Sequence, residues 1–227
     1  MHSRRVGTAD TVDRMAREAH APTLARARAA FEARTGSFAP GEPWYEERIR
    51  ASFDDALGTF EDGALARSFA SRADLAETER AIARALPRAE RSVFLAAHVE
   101  RGVVVCESIL GAAYEVAAVG PAERLRGGER FDGRIASIGG TLELLPGAIF
   151  HPAEAEDAIA AIGRELEERG LPTGLTTQAD LADAILRMKM RFDRFTSIHA
   201  RHVYRYDALA RMEILAASWA RPEPRSR

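Results

Sequence analysis

Between Ser92 and Pro152 the apolar residues alternate one by one, whereas before and after that stretch they recur every three or four positions. A chain that changes period twice has to place a small sheet between two helical regions. "SVFLAAHVE" sets Val93, Leu95, Ala97 and Val99 on one face, and "GVVVCES" follows an Arg101-Gly102 turn. "AYEVAAV", "RFDGRIASI" and "TLELLPGAIF" continue the series between glycine-rich turns. Five or six short strands in so little chain predict a small antiparallel β-barrel or a strongly curled sheet. The fold class expected is therefore α+β.

The flanks read as helix. Met15, Ala16, Ala19, Leu24, Ala27 and Phe31 keep helical spacing, with Pro22 placed to bend or split the run and Gly36 to stop it. Pro43 sits at a favourable first-turn position ahead of Tyr45, Ile49, Phe53, Leu57 and Phe60. Asp74 and Glu77 are spaced as a capping box for a third helix with Leu75, Ile82 and Leu86 inward. Beyond the barrel, one helix runs from Pro152 to Gly170. A second capping box, Thr177 with Asp180, opens a long helical pattern toward Trp219, broken near Thr196-Ser197. The organisation expected is a helical region over 9–91, a barrel over 92–152, C-terminal helices over 153–220 that pack on the rest, and a disordered Pro-rich tail over 221–227.

Composition narrows the function classes. The formal net charge of −2 supplies no global field toward nucleic acid or anionic membrane, so such binding needs a local patch. Cys106 is the only cysteine, which rules out an intramolecular disulfide and any multi-cysteine zinc site and suits a reducing cytoplasm. Arg4 and Arg5 run into polar residues rather than an apolar leader, and no stretch has the length of a membrane span.

No chemistry stands out among the motifs. Gly127-Gly128 and Gly139-Gly140 lie between candidate strands, not between a strand and a helix, so hairpin turns explain them better than a phosphate cradle. Arg126 and Arg130 with Ser137 and Gly140 partly match the pattern of cyclic-dinucleotide-binding barrels. Ile135, however, stands where that pattern needs aspartate. Cys106, among valines, reads as a buried small hydrophobe. Glu107, Glu115 and Asp132 could share a barrel mouth, but charges on the solvent face of half-buried strands account for them. No catalytic residue, metal set or cofactor is expected.

Several segments carry a resemblance. Glu107 with Gly111, Tyr114 with Val116, Gly128-Glu129 with Phe131 and Arg134, and Pro146-Gly147 with Phe150 and Pro152 follow one another in the barrel region. Trp44-Tyr45 and Phe53-Asp54 precede them. The pattern resembles uncharacterised bacterial proteins that join a helical N-terminal region to a small β-barrel, some of which carry a C-terminal SEC-C zinc motif. That cysteine-rich tail is missing here, and the resemblance implies a fold more than a function.

The C-terminal helix is the most informative stretch. Leu181, Ile185, Met188, Phe192, Phe195, His199, His202 and Tyr206 recur at steps of four and three, a heptad seam. Beside it runs a stripe of Arg187, Arg191, Arg194, Arg201 and Arg205. The seam could pack on the chain's own core, pair with a partner helix or a second copy, or, with the arginines on phosphates, face nucleic acid. His199 and His202 could ligate a metal, but further ligands are missing nearby, and interface or core histidines fit better. The expectation is a non-enzymatic cytoplasmic interaction or scaffold protein, with partner-binding residues Arg187, Arg191, Phe192, Arg194, Phe195, His199, Arg201, His202 and Arg205. Nucleic-acid binding through the arginine stripe is the alternative.

Overall fold

The computed structural model describes residues 7–42, 44–195 and 197–209. Its first two helices, α1 (Thr8–Glu18) and α2 (Ala21–Thr35), are separated at Ala19-His20, with Pro22 in the first turn of α2. The missing N–H of proline costs nothing there. α2 stops at Gly36, whose φ of 94° and contact with Met190 both exclude a side chain: an added Cβ would lie 2.7 Å from the sulfur. The loose carbonyls at that end are taken by Arg48 of α3 (Tyr45–Gly58). Its Nη2 donates to the Thr35 carbonyl at 3.1 Å and the Gly36 carbonyl at 3.0 Å. Pro43 lies outside the described residues.

Two shorter helices follow, α4 (Ala64–Ala70) and α5 (Glu77–Ala85). The α5 cap falls two residues later than the spacing of Asp74 and Glu77 suggests. Glu79 accepts from the Ala76 N–H at 3.0 Å, while Asp74 is drawn into an ion pair with Arg72 at 2.6 Å. Leu75, Ile82 and Leu86 are buried as expected, and Leu75 and Leu86 join Val12, Met15, Leu57 and Phe69 in one cluster.

The sheet comprises β1 (Glu90–Glu100), β2 (Val103–Ser108), β3 (Ala113–Ala117), β4 (Arg130–Ile138), β5 (Thr141–Leu144) and β6 (Ile149–Phe150). The first five close into a barrel in the order β1-β2-β3-β5-β4, with β4 returning to pair with β1. Every pairing is antiparallel except β3 with β5, which is parallel because β4 crosses the barrel before the chain doubles back. This connectivity is that of an OB-type Greek-key barrel. Gly139 and Gly140, at φ 60° and 86°, make the two-residue turn between β4 and β5 that only residues tolerant of positive φ can make. Phe94, Ala96, Val104, Cys106, Val116, Phe131, Ile135 and Leu144 fill the interior, and burial pushes the Cys106 thiol up to about 11. Val93 and Leu95 therefore lie outside the barrel. β1 is apolar on both faces because the C-terminal helices cover its outer one.

Those helices are α6 (Glu156–Arg169), α7 (Gln178–Arg194), α8 (Ala200–Val203) and α9 (Tyr206–Leu209). Thr177 and Asp180 form the expected capping box on α7, through bonds of 3.1 and 2.8 Å. Leu181, Ile185 and Met188 are fully buried against Ile159, Ile162, Leu166, Val203 and Leu209. The expected helix toward Trp219 and the tail over 221–227 lie outside the described residues.

Six charges tie these parts together. Asp132 on β4 holds Arg91 of β1 at 3.2 Å, and Arg91 also donates to Asp183 of α7. Asp183 accepts from Arg34 of α2 at 2.9 Å, and Arg34 reaches Asp55 of α3 at 2.7 Å. Asp55 in turn accepts from Arg134 at 2.6 Å, two residues from Asp132 on the same face of β4. Signs alternate around the whole circuit, and all but Arg34 are buried. Burial alone disfavours the Arg91 cation, yet Asp132 and Asp183 more than offset it and hold the guanidinium above its ordinary value. Burial opposes the Asp55 anion too, but Arg134 and Arg34 hold that carboxyl below its ordinary value.

Two further buried groups respond to pH in opposite senses. Asp54, adjacent to the circuit, accepts among the described residues only from the Gly147 N–H at 2.7 Å, and burial pushes its carboxyl up to about 7. His151, just after β6, shares a hydrogen-bond contact of 3.2 Å between Nδ1 and the Tyr204 hydroxyl, and burial pushes the ring down to about 3. Between pH 4 and 7 the folded chain holds an extra proton at Asp54, so stability from that group falls as pH rises. Below the ordinary histidine value the unfolded chain holds an extra proton at His151, so stability from that group falls as pH drops.

Two tests follow from the buried charges. Asp183→Asn strips Arg91 and Arg34 of a shared carboxylate, and urea denaturation should show a loss of about 3–5 kcal/mol. A loss below about 1 kcal/mol would mean the circuit is not coupled as drawn. In stability–pH profiles, Asp54→Asn should gain on the wild type as pH rises from 5 to 8. His151→Gln should gain on it as pH falls from 6.5 to 4. Profiles parallel to the wild type would place both groups in water.

Candidate functional site

Strand register sets up the site. Arg130 on β4 pairs with Leu95 on β1, and Leu95 pairs with Glu107 on β2. The three side chains stand in one row on the outer face of the barrel, about 4.8 Å from strand to strand. Helix α6 lies over this row with Ile159, Ile162 and Leu166 buried. Between those anchors Ala160 and Gly163 carry almost no side chain, so helix and barrel do not close on each other. A cleft of about 390 Å³ remains, floored by Leu95, Ile109, Ile159 and Leu166 and edged by Arg130, Arg164, Glu107 and Glu167. That volume lies at the low end of the roughly 300–1,000 Å³ span of small-ligand sites.

Arg130 is the unusual member. Its Nε is buried without an acceptor, and the side chain makes no hydrogen bond to any described residue. Burial holds its pKa below the ordinary arginine value; Glu156 and Glu107 oppose this only in part, and Arg164 adds to it. Every other arginine in the barrel wall has a carboxylate: Arg91 has Asp132 and Asp183, and Arg134 has Asp55.

The residues that the sequence marked for partner binding do not lie on one continuous helix. α7 ends at Arg194, and the stripe is divided among α7, α8 and the turn between α8 and α9. Arg187 donates to the Arg34 carbonyl. Arg191 is half-buried, and Arg194 bonds the Ser37 carbonyl at 2.6 Å and Glu42 at 3.1 Å. Phe192 packs with its ring 6.2 Å from that of Tyr204, tilted by 56°, whereas Phe195 is 51% exposed. His199 and His202 are exposed with rings 6.2 Å apart, and His199 Nδ1 accepts from the Arg201 N–H at 3.3 Å. Arg201 and Arg205 border a second cavity of about 370 Å³ on the other side of α6. There Arg205 is paired with Asp207 at 2.6 Å, and Arg169 with Glu165 at 2.7 Å.

The barrel face that OB-type folds use for single-stranded nucleic acid lies over β2 and β3 and the β1–β2 and β4–β5 turns. Here it shows Val103, Val105, Glu107, Ala113, Glu115 and Ala117. Tyr114 is turned to Phe94 and bonded to Glu90, so it is no free stacking platform. Two glutamates and no cation on these strands repel phosphate rather than track it. Among the described residues, no group of three or more His, Cys, Asp and Glu side chains is placed to hold a metal, and no helix is long and apolar enough to cross a membrane.

Sequence reasoning did not find the cleft. Arg130 was visible only as part of a motif that fails, and Ala160 and Gly163 look like ordinary small residues of an amphipathic helix. No protein-family model, curated protein or solved structure matches the chain.

Proposed function

We propose that this chain is a non-enzymatic binding protein whose recognition site is the cleft between α6 and the barrel. One observation carries the reading: at that point an apolar floor meets a half-buried guanidinium whose Nε has no acceptor. The rest of that guanidinium also has no hydrogen-bonded partner among the described residues and is not closed off, so an entering anion can take bonds that the chain itself leaves unmade. The alternative surface, the heptad seam of α7, is spent internally, since Leu181, Ile185 and Met188 are already in the chain's own core. A helix partner would be left with Phe195, His199, Arg201 and His202, which share no continuous helix.

Gly163 offers a clean test. A Cβ added there meets only Ile109, at 3.7 Å, so Gly163→Trp starts without a clash and extends into the cleft. The uncharged probe N-phenyl-1-naphthylamine, which brightens in apolar surroundings, should bind the wild type at one saturable site. Gly163→Trp should weaken that binding by about tenfold or more with the melting temperature unchanged. No saturable binding, or equal binding by the variant, would remove the cleft as the recognition site.

A further inference from the structure

We propose that the cleft takes an amphipathic monocarboxylate, its head group on Arg130 and its apolar body along Leu95, Ile109, Ile159 and Leu166. The inference rests on the cleft being the binding site and adds the chemical class of the ligand. A guanidinium presents five N–H donors in a rigid plane, matched by a carboxylate through two parallel bonds. At Arg130 none of these donors is used within the described chain, and the Nε is closed to water. Arg164, one α6 turn on from Ala160, stands at the edge of the same cleft and likewise has no hydrogen-bonded partner among the described residues.

The surrounding charges limit the ligand to a single negative charge. Glu107 and Glu167 edge the cleft, and Glu156 and Asp157 act on Arg130 from the start of α6. A phosphate dianion would add a second charge against these four carboxylates with only two arginines to balance it. The glutamates make no matching demand for a cation, because both are exposed and solvated. Four aliphatic side chains on the floor reward an apolar body, and the small volume favours a short chain or a single ring.

Competition against N-phenyl-1-naphthylamine at pH 7.5 separates this inference from the one it rests on. Octanoate should displace the probe about tenfold better than 1-octanol or octyl phosphate. Arg130→Met should retain probe binding while losing the preference for octanoate. Removing a half-buried cation that lacks a partner should leave the fold intact, as a melting curve will show. Equal displacement by octanoate and octanol, or a preference that survives Arg130→Met, overturns the anion inference and leaves the cleft standing. Stronger displacement by octyl phosphate overturns the monoanion. Failure of the probe to bind overturns the cleft and the inference together.

Discussion

Arg91 sits inside the protein with its guanidinium shared between Asp132 of the barrel and Asp183 of α7. Taking such a cation out of water costs several kcal/mol, and only carboxylates in good geometry repay it. Here the two carboxylates come from elements some fifty residues apart, and Asp183 is shared onward to Arg34, from which the pairs return to β4 through Asp55 and Arg134. The arrangement is satisfied only when α2, α3 and α7 all stand in one position against β1 and β4. Apolar packing tolerates small sliding motions. Six alternating charges with bonds of 2.6 to 3.2 Å between most neighbours do not.

The cleft inherits its shape from that circuit at one remove. α6 contributes no charge to it; Ile159, Ile162 and Leu166 instead pack on Leu181, Ile185 and Met188 of α7. Because Asp183 fixes α7 to the barrel, α6 is held over the row of Arg130, Leu95 and Glu107 without filling the space above it. Gly147 supports the other flank: a Cβ there would fall 2.6 Å from the Ala51 Cα, so the loop between β5 and β6 presses its backbone onto α3. The hydrogen bond from Gly147 to Asp54 closes that contact. A rigid frame that leaves the half-buried Arg130 at the cleft without a hydrogen-bonded partner among the described residues is the physical basis of the binding proposal.

Much of the frame was legible in the sequence because it depends on local rules. The change from helical to alternating period located the barrel to within two residues, since β1 starts at Glu90. The Thr177–Asp180 box and the Gly139-Gly140 turn each rest on residues a few positions apart. The ion circuit was hidden because its partners lie 21, 41, 79, 92 and 149 residues apart, and nothing local distinguishes Asp183 from a solvent-facing aspartate. The α7 seam was seen, but steps of three and four do not say whether the covering surface belongs to the same chain. Burial of Leu181, Ile185 and Met188 answers that for the part before Phe192. Arg130 was the least legible, because the feature that marks it is the absence of a partner in three dimensions.

Native-state hydrogen exchange on the wild type tests the central claim most directly, because it reports opening of each element separately. If the circuit locks helices and barrel into one unit, the most protected amides of α3, β4 and α7 should exchange with one common opening free energy. That value should equal the global stability from denaturant unfolding. If α2 and α3 open at clearly lower free energy while β4 and α7 stay closed, the parts are merely adjacent and the claim fails.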